Sequence, residues 1–131
     1  MAFRMSYRVC DHRVNGAGSI TGVMQMADTA ASLKLTIDGA MKLLNAAMAK
    51  AQDMKVPECI AIVDAGGQLL AFARMDGAFA LSYDTALVKA MTAASYGIPT
   101  GDIPAGVDIK LAIATQGKRV NLPGGLPIIV D

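Results

Sequence analysis

Arg74, Asp76 and Lys89 are the side chains of this sequence best placed by type and spacing to do chemistry. Arg74 and Asp76 lie two apart in Ala73-Arg-Met-Asp-Gly77, so in extended backbone both project to the same side. An Arg there can grip a carboxylate through two parallel hydrogen bonds, and the Asp can orient it or accept a proton. The same two residues can instead form an ion pair that pins the turn before Gly77. Lys89 stands between Val88 and Ala90 in an apolar stretch. A partly buried ammonium binds carboxylates, and desolvation lowers its pKa toward that of a base or an amine nucleophile. The alternative is a lysine whose stem lies along the surface with its head in water. Asp76 and Lys89 are therefore the candidate catalytic groups. Thr92, one helical turn beyond Lys89, either adds a hydroxyl to the same pocket or bonds a backbone carbonyl of its own helix. Gly124 and Gly125, flanked by Pro123 and Leu126-Pro127, either bring backbone N–H groups to an anion or simply make a turn.

Other chemistries find less support. His12 is the sole histidine and lies in a weakly patterned stretch beside Asp11. It is a weak candidate for an iron ligand, and no C-x-x-C accompanies it to build a structural zinc site. The lone His also leaves a Ser-His-Asp triad without its base. The nine methionines offer possible axial ligands, and those at helical spacing fit the core instead. Asp64, at the end of an apolar run, fits the capping of the Gly66-Gly67 turn better than catalysis. Neither G-x-G-x-x-G nor G-x-x-x-x-G-K-[ST] occurs, so no nucleotide loop is present.

The elements that must position these groups are legible in the pattern. Cys59 to Ala65 is apolar except for Asp64, a strand buried on both faces. Gly66-Gly67 supplies a tight turn, and Gln68 to Met75 is the antiparallel partner. Leu70, Phe72 and Arg74 share one face; Leu69, Ala71, Ala73 and Met75 share the other. Before the hairpin, Leu33 to Thr36 alternates as a short strand. Thr36 then caps a helix with apolar residues at Ile37, Ala40, Met41, Leu44, Ala47, Met48 and Ala51, ended before Pro57. After it, Ser82 caps a second helix to Tyr96, stopped by Gly97 and Pro99. Asp108 caps a short third helix through Thr115, and Ile128-Ile129-Val130 starts a further strand. Residues 1–32 read as a weakly structured arm, with a turn at Asn15 to Ser19 and a weak helical pattern from Val23 to Ala31.

Composition bounds the setting. At 131 residues the chain makes one domain with a real core. Hydrophobic residues reach 53% and charged residues 18%, so part of the outer surface is expected to be buried in a homo-oligomer. A net charge of +1 leaves no basic excess for nucleic acid. No apolar run is long enough for a membrane span, and the two Arg near the start precede no apolar signal region. Two cysteines, Cys10 and Cys59, fit lone thiols in the cytoplasm.

Ile60 to Ala78, with its Asp64-Ala-Gly-Gly67 turn and Arg74-Met-Asp-Gly77, resembles the signature of the GlcG/HbpS-like family. Lys89-Ala-Met-Thr92-Ala-Ala94 with Pro99-Thr100, and Pro123-Gly-Gly-Leu-Pro-Ile128, resemble two further motifs of that family in the right order. The family includes haem-binding HbpS-like proteins, the glycolate-operon protein GlcG and the C-terminal domain of PduO-type cobalamin adenosyltransferases. The resemblance covers residues 33–131. It implies an α/β fold of the α+β type, an antiparallel β-sheet flanked by helices, and higher homo-oligomers such as octamers. It also implies a hairpin, a Gly-rich strand and a final helix after the Gly-Gly-Pro motif. This sequence does not carry them after Asp131, so the expectation is an open sheet edge that another chain or a separate fragment covers.

Two functions follow as expectations. The first is a small-ligand-binding accessory or sensor protein, the ligand being haem or another carboxylated tetrapyrrole held by Arg74, Asp76, Lys89, Thr92, Gly124 and Gly125. The second is a catabolic enzyme acting on a small carboxylated intermediate by hydrolysis, deamination or isomerisation, with Arg74 as anchor and Asp76 or Lys89 moving the proton. An assembly module without a ligand is the third alternative.

Overall fold

The structure is a computed structural model that describes residues 31–104 and 106–130, together with the backbone of Ala2–Phe3. His12, Cys10, the Asn15 to Ser19 turn and nearly all of the Val23 to Ala31 segment lie outside the described residues.

The elements in chain order are β1 (Ala2–Phe3), α1 (Ile37–Asp53), β2 (Cys59–Val63), β3 (Leu69–Arg74), α2 (Ser82–Tyr96), α3 (Val107–Ala114) and β4 (Pro127–Ile128). The α+β architecture matches expectation: an antiparallel hairpin with a helix on each face. β2 and β3 pair antiparallel from Cys59↔Arg74 to Val63↔Leu69. The strand order is β3-β2-β1-β4, and the two-residue β1 pairs parallel to both neighbours, at Val63 and at Pro127–Ile128.

Alternation along β2 feeds two cores. Cys59, Ala61 and Val63 pack with Ala86, Ala90 and Ala93 of α2, joined by Phe72 of β3. Ile60 and Ile62 face the other way, onto Ala40 and Leu44 of α1 and Ala71 of β3. This is the strand buried on both faces that its uninterrupted apolar run calls for. Leu70 departs from the expected face: it joins Ala71 and Ala73 on the α1 side rather than Phe72. A register shift between Ile62 and Val63 puts an extra residue there, which breaks strict alternation.

Local signals hold at three points. The Thr36 hydroxyl accepts from the Gly39 N–H at 3.1 Å and starts α1. One Asp64 carboxylate oxygen accepts from Gly66 N at 2.8 Å and Gln68 N at 2.9 Å, which closes the hairpin turn where Gly67 takes φ +79°. Gly97, with φ 70°, ends α2 by donating to the Ala93 carbonyl.

Five expectations are corrected. Leu33 to Thr36 forms no strand among the described residues. Ile37 and Met41 are exposed, so the buried stripe of α1 narrows to Ala40, Leu44 and Ala51. Ser82 is the first residue of α2 rather than its cap. The chain enters through a tight turn in which Ser82 N donates to Phe79 O and Tyr83 N to Ala80 O, so backbone carbonyls already serve the first N–H groups. Asp108 lies inside α3, where its carboxylate accepts from Gly106 N and Ile109 N, and Gly106 holds the cap position. The closing strand shortens to Pro127–Ile128, leaving Ile129 and Val130 exposed.

Candidate functional site

Lys89 and the Gly-Gly motif meet. The Lys89 ammonium donates to the Pro123 carbonyl at 3.2 Å. It also lies 3.2 Å from where a Cβ on Gly124 would stand. What brings them together is Gly125. A Cβ there would come within 2.5 Å of the Lys89 carbonyl oxygen, so only a residue without one lets this segment touch the α2 backbone. Gly125 is buried and its groups are spoken for. Its N–H donates to the Thr100 hydroxyl at 2.8 Å, its carbonyl accepts from Thr100 N at 2.9 Å, and that hydroxyl donates to Leu122 O at 2.7 Å.

The two glycines therefore divide. Gly124 is exposed, has φ +111°, and its N–H makes no hydrogen bond among the described residues. An anion can take that N–H together with the ammonium. Gly125 cannot offer its N–H, which corrects the expectation that both glycines approach a ligand. Thr92 is also structural. It is buried, its hydroxyl donates to Val88 O at 2.7 Å, and the same oxygen accepts from Val120 N at 3.0 Å. The intrahelical bond was the bland alternative; the second bond, which ties α2 to the 118–126 segment, has no signal in the sequence.

Lys89 and Gly124 open onto a cleft of about 480 Å³. Its walls are Ala47 and Ala51 of α1, Met54 at the cap of that helix, Cys59, Ile60 and Ala61 of β2, Ala86 of α2, and Val56, Pro123 and Leu126. Three charged residues line it, Lys50, Glu58 and Lys89, giving two ammonium groups against one carboxylate. Lys50 spends part of its charge on Asp53, 3.2 Å away, in an exposed pair worth well under ~1 kcal/mol. Volume, apolar walls and a few converging polar groups are the ordinary constitution of a small-molecule site. The cleft occupies the slot between β2 and the Pro123–Leu126 segment, beside the place where Ala2 pairs with Val63 and Pro127. Among the described residues, no strand covers that side of β2 from Cys59 to Ile62.

Arg74 and Asp76 are not part of it. Arg74 stands across the ladder from Cys59, one strand farther out, and both residues are exposed and absent from the cleft wall. They make no ion pair with each other or with any other described residue. Their expected partnership with Lys89 in one pocket is thus not assembled in this chain. The register explains it: sequence spacing put Arg74 at a strand end but could not say which side of the sheet held the opening. The cleft residues that sequence reasoning passed over are Lys50, Met54, Glu58 and Leu126. Lys50 lies in the last turn of α1 and Met54 caps that helix, and their place at the cleft is visible only once α1 is docked. No cluster of three metal-ligating side chains occurs among the described residues.

The comparisons with known proteins agree with this architecture. The family described as "Haem degrading protein HbpS-like" matches residues 35–131. A 15.0 kDa protein of the dhaT-dhaS intergenic region of Citrobacter freundii is 36% identical over 102 residues, covering 74% of this chain and 72% of that protein. The crystal structure of Klebsiella pneumoniae protein ORFY superposes with a TM-score of 0.74 at 31% identity, covering 81% of this chain and 77% of that one. The structure of a PduOC:heme complex superposes with a TM-score of 0.63 at 31% identity, covering 70% of each chain. The chain belongs to the HbpS-like family.

Proposed function

We propose that this member of the HbpS-like family binds haem, or another carboxylated tetrapyrrole, in the cleft between α1, β2 and the Pro123–Leu126 segment, and works as an accessory or sensor protein. The observation that carries the reading is the half-buried Lys89 ammonium beside Gly124, whose N–H makes no hydrogen bond among the described residues, at an apolar cleft of about 480 Å³. A planar, mostly apolar molecule with carboxylates is the chemistry that such walls and such a rim accept. The residues fit the group. Lys89 and Gly124 would hold a propionate, and Lys50 is a second cation on the rim. Met54 and Cys59, two of the lining residues, carry sulfur of the kind haem iron accepts. When bound, the group supplies its redox iron; the chain supplies orientation and a dry wall. The haem complex of PduOC, a relative by structure, supports the same reading. The protein acts as a homo-oligomer, of octamer type in the family's pattern, and two lone cysteines suit the cytoplasm.

Titration with hemin, followed by the Soret band, tests this. A saturable shift is expected, and Lys89→Ala should weaken it about tenfold, the loss of a charge-assisted hydrogen bond worth ~1.5 kcal/mol. Lys89→Arg should retain most of the affinity, and Lys110→Ala, on exposed α3, all of it. No saturable shift, or equal affinity in Lys89→Ala, overturns the proposal.

A further inference from the structure

Phe79 and Leu81 are the two most exposed large apolar side chains among the described residues, at 83% and 74%. They lie in the segment that joins β3 to α2, and Tyr83 follows, also exposed. The Tyr83 ring meets Phe72 edge-on with centroids 4.9 Å apart, so the patch is tied to the core under it rather than carried on a loose loop. Just before it come Arg74 and Asp76, exposed, with no ion-pair partner among the described residues. Among the described strands, β3 lies at the edge of the sheet. Exposed apolar side chains grouped in sequence like these are candidates for burial against a partner.

We propose that this edge is an isologous interface with a second copy of the chain. Arg74 pairs with Asp76 of the second copy in both directions beside the two-fold axis, and Phe79 and Leu81 add the apolar contact on either side. The inference rests on the homo-oligomer part of the reading above and names the surface. Its argument is charge complementarity. A two-fold contact must be complementary to itself: if one residue meets another across the axis, the second meets the first. Arg74 ends β3 and Asp76 stands two residues on, in the turn that the Ala78 N–H closes on the Met75 carbonyl, so the segment offers one charge of each sign within two residues. An axis passing beside Met75 places each opposite its complement and makes two reciprocal pairs from two residues. Arg74 and Asp76 cancel, and Asp84, exposed beside Tyr83, leaves the segment with one net negative charge, so it does not favour an anionic lipid surface.

Sedimentation velocity over a protein concentration series tests this. Arg74→Asp and Asp76→Arg each set like charges across the axis, and each should raise the dissociation constant at least about tenfold. The double swap, Arg74→Asp with Asp76→Arg, restores opposite signs and should return it to within roughly threefold of the native value. Phe79→Ser should also weaken association. Thermal melts establish that each variant is folded, and hemin affinity should be unchanged, since none of these residues lines the cleft. A native chain that stays monomeric overturns the homo-oligomer reading and this surface together. An oligomeric native chain with unaffected single variants, or folded single variants that the swap does not rescue, overturns this surface alone.

Discussion

Replacing Gly125 with alanine adds one methyl group, and the structure says where it goes. The new carbon would lie 2.5 Å from the Lys89 carbonyl oxygen, 2.9 Å from its carbon and 2.9 Å from the Thr100 methyl. Two of those three atoms are helix backbone, which cannot swing aside. The 121–126 segment must therefore lift off α2. Lifting strains the two Gly125–Thr100 hydrogen bonds and the Lys89–Pro123 bond. Overpacking of this kind costs about 1–3 kcal/mol. Hydrogen bonds weakened at a buried site add roughly 1 kcal/mol or more. Alanine has no difficulty with the backbone here, because Gly125 is not among the positive-φ glycines, so strain in φ contributes nothing. The sum is about 2–4 kcal/mol, which for a domain of this size lowers Tm by roughly 8–16 °C. Gly97→Ala is the control: nothing lies within 4 Å of its added carbon, and its φ of +70° alone costs ~1 kcal/mol. Differential scanning calorimetry or urea melts of both variants decide the matter. If Gly125→Ala melts no lower than Gly97→Ala, the close approach is not what holds the segment, and the account of how Lys89 meets Gly124 fails with it.

Thr92→Val keeps the shape of a buried side chain but leaves the Val120 N–H without its acceptor. Urea denaturation should show a loss of about 1–3 kcal/mol, with hemin affinity near native. Asp64→Ala removes the oxygen that serves Gly66 and Gln68. It should cost ~1 kcal/mol by thermal melt, and Asp64→Asn should recover most of that, because the bonds need an acceptor and not a charge. Ile62→Ala empties a fully buried position between α1 and the hairpin and should cost about 2–5 kcal/mol.

The hairpin was legible because its signals are local. Seven apolar or turn-capping residues, then Gly66-Gly67, then an alternating run leave few other foldings, and Asp64 was readable as turn support for the same reason. α1 was legible from its stripe and from Thr36. What escaped was everything set by contact between elements far apart in sequence. Leu70 changed sides because of a ladder irregularity that no composition reports. Thr92 and Thr100 look like ordinary hydroxyl residues until Val120, Leu122 and Gly125 are brought beside them. The cleft draws on residues from Ala47 to Leu126, so its position depends on how α1 and the 121–126 segment dock, and that is decided by tertiary packing.

The same consideration separates Lys89 from Arg74, which the sequence presents as equals. Both are cations beside apolar residues, and both belong to motifs shared with the family. Arg74 is fixed by the ladder: opposite Cys59, at the outer edge of the sheet, it cannot reach the far side of β2 without leaving its strand. Lys89 is fixed by a missing side chain. The absence of a Cβ at Gly125 lets the 121–126 segment lie on the α2 backbone, and the ammonium then finds the Pro123 carbonyl within reach, with Gly124 beside it. The cation that faces a cavity is the one whose neighbour is small, and the cation left on the surface is the one paired in sequence with an opposite charge. That pairing is what a ligand pocket needs least, since Asp76 would repel the anion Arg74 attracts, and what a self-complementary interface needs most.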